Sequence, residues 1–190
     1  FTYIVQGNPN GLAESFLLAE DFLDGSACCL ILGDNIFIGE SFIDKISEAV
    51  QCNLGSSIFA YKVRDPERFG VVEFNEDYKV ISIEEKPKNP KSNYAVTGIY
   101  FYDQEVVEYA KSLRPSPRGE LEITDLNNIY LNKGNLSVEI IPEDSYWLDA
   151  GTPESLMKAS NFIYELEQNK GVKTSCPEEI SIYKNWIEPN

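Results

Sequence analysis

The chain has 190 residues, 43% hydrophobic and 12% aromatic, enough apolar material to build a core and to exclude a disordered chain. Sixteen Lys and Arg against 31 Asp and Glu leave a net charge of −15, which argues against a nucleic-acid backbone or an anionic membrane as partner. There is no His, and the four Cys form no C-x-x-C, so a zinc centre and a His base are both disfavoured. A small anionic substrate stays open, because it needs only a few placed cations and a metal.

The elements follow in chain order. Phe1 to Val5 reads as a strand and Gly7-Asn8-Pro9-Asn10-Gly11 as a turn. Leu12 to Leu23 has a helical period, with Leu12, Phe16, Ala19 and Leu23 on one stripe. Cys28 to Leu32 is short and apolar and reads as a buried strand. Ser41 to Val50 is a helix with Phe42, Ile43, Ile46 and Val50 inward, and Ser56 to Val63 a strand. This alternation predicts a mostly parallel sheet with helical crossovers. Gly70 to Phe74 and Lys79 to Ile83 form a hairpin across Asn75-Glu76-Asp77, and Glu84 to Asn93 is a loop. Ala95 to Tyr102 is a strand, Val106 to Leu113 a helix, and Ile123 to Asn132 a helix capped by acidic and Thr residues. Leu136 to Ile141 and Tyr146 to Asp149 are strands. Pro153 to Glu167 is a helix with Leu156, Ala159, Ile163 and Leu166 on one face, and Pro177 to Trp186 a last helix. Cys28, Cys29, Cys52 and Cys176 are expected to be buried reduced thiols. No apolar run spans a membrane and no signal peptide is visible, so a cytoplasmic α/β protein is expected.

Several residues could carry chemistry. Asp34 follows the Cys28 strand, and ligands of open α/β sheets sit beyond strand ends. Asp149 ends another short apolar run before a Gly and a Pro-started helix. Two such carboxylates suit a hard cation that keeps waters for substrate phosphates. The alternative is that Asp34 caps a turn and Asp149 caps the helix at Pro153. Lys86, after Glu84-Glu85, could contact a phosphate or form an ordinary surface ion pair. Arg118, in a Pro- and Gly-flanked loop, could fork onto a phosphate or stand exposed. Gly98 within a strand marks either close approach of a ligand or a bulge. The Gly7–Gly11 turn could bring backbone amides or Gln6 to a ligand edge, or be a plain β-to-α turn, and it is not a P-loop.

Taken in order, Gln6, Gly11-Leu12-Ala13, Leu32-Gly33-Asp34-Asn35, Asp65 to Val72, Glu84-Glu85-Lys86-Pro87, Tyr94 to Gly98, Arg118 to Asp125 and Trp147 to Thr152 resemble the glucose-1-phosphate thymidylyltransferase family. The resemblance runs to Ser175-Cys176-Pro177-Glu178-Glu179. It implies a three-layer α/β/α sandwich with a mostly parallel mixed sheet, a nucleotidyltransferase core over 1–152 and a C-terminal helical segment over 153–190 packing on it. The implied reaction joins dTTP and glucose 1-phosphate into dTDP-glucose and pyrophosphate, beginning dTDP-L-rhamnose synthesis. A phosphate monoester dianion is already a nucleophile, so the lack of His fits. Asp34 and Asp149 would bind Mg²⁺. Lys86 and Arg118 would be catalytic, holding the sugar phosphate. Glu85, Gly70, Asn35 and Gly98 would bond the hexose hydroxyls, Gln6 and Gly11 would read thymine, and Trp147 would wall the site. Phe69 stands where the family usually has Tyr. The family's G-x-G-T-R-L loop and the strand before it do not occur in these 190 residues. The resemblance therefore implies a fragment with little or no transferase activity alone. A homo-oligomer, a tetramer in the family, is also implied. The other readings are a uridylyltransferase or other sugar-1-phosphate nucleotidyltransferase, and a non-catalytic sugar-phosphate-binding or assembly module.

Overall fold

The computed structural model describes residues 1–51, 55–77, 79–171 and 173–188; Cys52 lies outside them. The chain divides into two units, Phe1–Gly33 with Gly39–Ser145, and Asp34–Ile38 with Tyr146–Asn190.

The first unit is built on β6 (Tyr94–Tyr102), whose aromatic and β-branched residues suit a central strand. One edge of β6 pairs with β3 (Ser56–Lys62), which continues to β7 (Leu136–Ile140). Its other edge is shared. β4 (Gly70–Phe74) pairs at Tyr94 and Ala95 and carries β5 (Val80–Glu85) beyond it, while β1 (Cys28–Ile31) pairs at Ile99 to Tyr102. Gly98 sits between the two, its carbonyl accepting from the Leu32 N–H at 2.9 Å.

Alternation along β6 sends side chains to opposite faces. Val96, Tyr100 and Tyr102, with Ile58, Ala60, Val72 and Ile83, meet the buried residues of α1 (Glu14–Leu18), α4 (Val106–Ser112) and α5 (Ile123–Asn132), among them Phe16, Val106, Leu126 and Tyr130. On the opposite face Phe59 packs edge-on against Phe42 of α3 (Glu40–Gln51), ring centroids 5.3 Å apart. Each fully buried side chain of this size is worth about 1.5–3 kcal/mol of transfer free energy, offset by the entropy of ordering the chain. Two core hydroxyls are paired: that of Tyr102 donates to Asn127 Oδ1 at 2.7 Å, and that of Tyr130 to Asp103 Oδ1 at 2.8 Å.

The second unit is a two-stranded antiparallel ribbon, β2 (Asn35–Ile38) on β8 (Tyr146–Asp149), with α6 (Pro153–Lys170) and α7 (Pro177–Tyr183). Thr152 caps α6 in a reciprocal box with Ser155, Pro153 takes the first helical position, and Gly171 ends the helix in the left-handed region.

The mixed α/β sheet expected from the sequence is present. The balance of strand directions differs: among the described residues only β3–β7 is parallel. Residues 1–5 form no strand, because a strand exists only in a ladder and no ladder includes them. The expected helix over 12–23 breaks at Ala19 into α1 and α2 (Glu20–Leu23). β1 is not buried: paired only to β6, it alternates between half-buried and exposed, with Ile31 exposed. In α3 it is Phe42 and Ala49 that turn inward, seven residues apart and so on one face, while Ile43 and Val50 are exposed. Of the expected inward face of α6, Ala159 is buried but Leu156 is exposed. β5 runs on to Glu85, into the expected loop. No side chain caps α5: the N-cap residue is Glu122, and the Thr124 hydroxyl goes elsewhere. Of the three described cysteines, all free thiols, Cys28 and Cys176 are half-buried and Cys29 is exposed rather than buried.

Candidate functional site

In the second unit, pairing of β2 with β8 sets Asn35 opposite Asp149, and the Ala150 N–H donates to the Asp34 carbonyl at 2.7 Å. That register carries both carboxylates to the same end of the ribbon. They close around Gly151: a Cβ built there would lie 2.9 Å from Asp34 Oδ2 and 3.2 Å from Asp149 Oδ1. The hollow between the two carboxylates is thus one that any residue larger than Gly would fill. Asn35 braces this end. Its Nδ2 donates to Asp34 Oδ1 at 2.9 Å, and its Oδ1 accepts from Trp147 Nε1 at 2.6 Å. Helix capping is not what Asp149 does, since Thr152 caps α6; Asp149 Oδ1 instead accepts from the Gly151 N–H at 3.2 Å. Among the described residues no three His, Cys, Asp or Glu side chains gather as a metal-ligand set. A pair of carboxylates around an open hollow fits Mg²⁺, which takes one or two protein carboxylates and keeps the rest of its sphere for water and phosphate.

In the first unit a second group forms around Glu85. The β4–β5 register places Gly70 opposite Glu85, and the Thr124 hydroxyl donates to Glu85 Oε2 at 2.5 Å. A Cβ on Gly70 would lie 3.1 Å from Thr124 Oγ1 and 3.4 Å from Glu85 Oε2, so the glycine keeps the carboxylate accessible. Lys86 follows with a left-handed φ of 43°, its N–H donating to the Phe69 carbonyl at 3.0 Å. Such a backbone costs a non-glycine residue about 1–3 kcal/mol and is characteristic of functional sites. Lys86 Nζ lies 3.9 Å from Glu85 Oε1, and Arg118 Nη1 lies 3.7 Å from the same oxygen. Arg118 is also held by Glu120 at 2.6 Å and by Glu122 at 3.3 Å. Burial works to lower its pKa, but the Glu120 hydrogen bond and the charges of Glu122, Glu120 and Glu85 outweigh this and hold it above the ordinary value.

Gln6 and Gly11 belong to the same unit. Gln6 Nε2 donates to the Gly11 carbonyl at 3.2 Å and to Glu14 Oε2 at 2.6 Å; the hydrogen bonds from Asn10 and then Gln6 lower the Glu14 pKa. The loop is sewn to the segment after Arg118 by Leu121 N–H to Asn10 carbonyl (2.6 Å) and Ala13 N–H to Leu121 carbonyl (3.2 Å).

The sequence-based candidates therefore fall into two sets, Asp34, Asn35, Trp147 and Asp149 in one unit, and Gln6, Gly11, Phe69, Gly70, Glu85, Lys86, Gly98 and Arg118 in the other. Within the second set, Phe69, Gly70, Glu85, Lys86 and Arg118 are brought together, Gln6 meets Gly11, and Gly98 serves the sheet fork. Four participants had been given no role: Gly151, Thr124, Glu120 and Glu122.

Away from both groups, burial, followed by the charges of Cys29 and Asp103, pushes the Cys28 thiol up to about 11. At pH 8 its thiolate fraction falls roughly a hundredfold below that of an ordinary cysteine, and iodoacetamide is expected to modify it more slowly in proportion, as followed by peptide mass spectrometry. Modification at the rate of free cysteine would contradict that environment.

The comparisons with known proteins bear on the family and the fold. The model of the nucleotidyl transferase family matches residues 1–165. A glucose-1-phosphate thymidylyltransferase of Neisseria meningitidis serogroup A is 50% identical over 186 residues, covering 98% of this chain and 65% of that protein. One from Mycobacterium tuberculosis is 44% identical over 187 residues, again covering 98% and 65%. A solved glucose-1-phosphate thymidylyltransferase from Bacillus anthracis, in complex with a sucrose, superposes with a TM-score of 0.74 at 46% identity, over 85% of this chain and 64% of that one. A UDP-glucose pyrophosphorylase complexed with UDP-glucose, at 22% identity and a TM-score of 0.71, shares the fold. The chain spans just under two thirds of the length of the curated relatives it matches. With the family model covering 165 of 190 residues, the chain belongs to the nucleotidyl transferase family.

Proposed function

We propose that the chain carries the sugar-phosphate and metal residues of a glucose-1-phosphate thymidylyltransferase, which joins dTTP and glucose 1-phosphate into dTDP-glucose and pyrophosphate. The observation that supports this best is the gathering of Lys86, Arg118, Glu85 and Gly70 around one carboxylate in a family of nucleotidyl transferases. The relatives at 44–50% identity bear the name of that activity.

In this reading a phosphate oxygen of glucose 1-phosphate forms a bond to the α-phosphorus of dTTP while the bond to pyrophosphate breaks. No proton has to be removed from the attacking dianion, which is consistent with a chain without His. The work left to the protein is positioning and charge neutralisation. Lys86 and Arg118 hold the sugar phosphate and offset the repulsion between two anions. Glu85 accepts from hexose hydroxyls, and Gly70 and Gly98 contact the sugar. Phe69 stands beside it, without the hydroxyl of the usual Tyr. Gln6 and Gly11 read the thymine edge. Asp34 and Asp149 would hold Mg²⁺, which when bound neutralises phosphate charge. The same reading places the product at the start of dTDP-L-rhamnose synthesis, puts the chain in the cytoplasm where its substrates are made, and makes the working form a homo-oligomer, a tetramer. Among the described residues no helix is long and apolar enough to cross a membrane.

Calorimetry on the 190-residue chain tests the reading. Glucose 1-phosphate is expected to bind, and Lys86→Ala and Arg118→Ala each to weaken binding about tenfold, the loss of one charge-assisted hydrogen bond to phosphate. Affinity unchanged in both variants would overturn it. Binding of the sugar phosphate with no response to dTTP or dTDP-glucose, with or without Mg²⁺, would favour a sugar-phosphate-binding module.

A further inference from the structure

Arg118 is held in a ring closed by two hydrogen bonds and one ion pair. Its backbone N–H donates to Ser116 Oγ at 3.1 Å, the Ser116 hydroxyl donates to Glu122 Oε1 at 2.7 Å, and Arg118 Nε lies 3.3 Å from that same oxygen. The Glu122 side chain is 7% exposed, while those of Arg118 and Glu120 are each 37% exposed. The loop is tight: the Ser116 N–H donates to the Glu120 carbonyl and the Gly119 N–H to the Ser116 carbonyl, both at 2.8 Å, with Gly119 at a φ of 81°. The ring grips one edge of the guanidinium. The Nη edge faces Glu120, Nη2 at 2.6 Å, with Glu85 Oε1 3.7 Å from Nη1.

A guanidinium binds phosphate through two parallel N–H groups, so what matters is which edge stays exchangeable. Glu122 is buried and tied to Ser116 and cannot leave without stranding a charge. Glu120 is exposed, and a surface ion pair of this kind is weak enough to be exchanged for an incoming dianion. We propose that Glu122, acting through the Ser116 ring, is a positioning residue that fixes Arg118 by its Nε edge, and that Glu120 occupies the Nη edge until phosphate displaces it. This rests on the reading of Arg118 as a phosphate ligand. It assigns opposite effects to two glutamates two residues apart in sequence.

The test is the affinity of the 190-residue chain for glucose 1-phosphate by calorimetry. Glu122→Gln is expected to weaken binding about tenfold and Glu120→Gln to tighten it about threefold, and neither to have an effect in an Arg118→Ala background. A purely electrostatic role would tighten both, since each substitution removes a negative charge. A merely structural role for Glu122 would weaken binding equally with and without Arg118. Either outcome overturns the proposal. If Glu122→Gln does not fold by circular dichroism, Ser116→Ala breaks the same ring at its other member and is expected to weaken binding about threefold, again only when Arg118 is present; unchanged affinity there also overturns it. If Arg118→Ala itself leaves affinity unchanged, the phosphate reading falls. If Arg118→Ala weakens binding and the glutamates behave otherwise than stated, the ring is wrong and the phosphate reading stands.

Discussion

Gly151→Ala is expected to weaken divalent-cation binding at Asp34 and Asp149 strongly while leaving the fold in place. Gly151 is not among the residues with positive φ, so alanine meets no backbone penalty. The added methyl would instead sit 2.9 Å from Asp34 Oδ2 and 3.2 Å from Asp149 Oδ1, in the hollow the two carboxylates share. They must move apart to admit it, and a cation that demands short, near-octahedral oxygen contacts then loses one of its protein ligands. The loss should amount to about 2–3 kcal/mol, or about thirty- to a hundred-and-fiftyfold in affinity. The chain has two tryptophans, and the indole N–H of Trp147 donates to Asn35, which in turn donates to Asp34. With Mn²⁺ as a paramagnetic stand-in for Mg²⁺, the Trp147 indole signal should broaden at low metal concentration and that of exposed Trp186 later. Gly151→Ala and Asp34→Ala should both remove the early broadening. A Trp147 signal equally sensitive to Mn²⁺ in all three proteins would show that the carboxylate pair holds no metal.

Gly11→Ala should destabilise the first unit by about 3 kcal/mol or more, since it combines a strained backbone with a steric clash. Gly11 has a φ of 106°, where an L side chain is strained whatever the space. A Cβ there would also lie 2.6 Å from the Leu121 nitrogen and closer still to its carbonyl oxygen. Leu121 cannot retreat freely, because its N–H and carbonyl are both committed to the Asn10–Ala13 loop. For a chain of this size the expected fall in Tm is about 6–12 °C. The same change should weaken glucose 1-phosphate binding, because the strand of chain it displaces leads straight from Arg118 to α5. A melting temperature within a degree of the wild type would show that the loop is not sewn down as described. Gly7→Ala, where a Cβ meets nothing within 4 Å, is the control.

What was readable from the sequence, and what was not, divides along a physical line. Some segments behave as their patterns require. α5 begins and ends at the expected residues, Ile123 and Asn132, β6 starts one residue early, and the 70–74 and 80–85 hairpin forms across the Asn75 turn. Local pattern is enough there because the apolar period and the element coincide. It failed where a partner decides the outcome. Residues 1–5 have the composition of a strand and no ladder to join. β1 has the apolar run of a buried strand, but its residues alternate between half-buried and exposed, because only one of its faces is covered. Ile43 and Val50 are as apolar as Phe42, and only the direction of the sheet face says which side of α3 turns inward. Strand direction was equally invisible: a helix between two strands suggested parallel pairing, and β6 paired antiparallel with β1, β3 and β4 instead.

The candidate site shows the same division. By itself the sequence determined its chemistry. The inventory of carboxylates and cations, the absence of His, and the short ordered motifs that name a family are properties of residue identity, and folding does not alter them. Whether Asp149 caps a helix or faces Asp34 depended on the register of β2 against β8 and on Thr152 taking the cap, and only tertiary structure could decide it. So did the gathering of Arg118, Glu122 and Ser116 into a ring, and of Gly70, Glu85 and Thr124 around one carboxylate. Hydrogen bonds and ion pairs depend on distances of a few ångströms between residues as far apart as Asp34 and Ala150, and no local pattern encodes those distances.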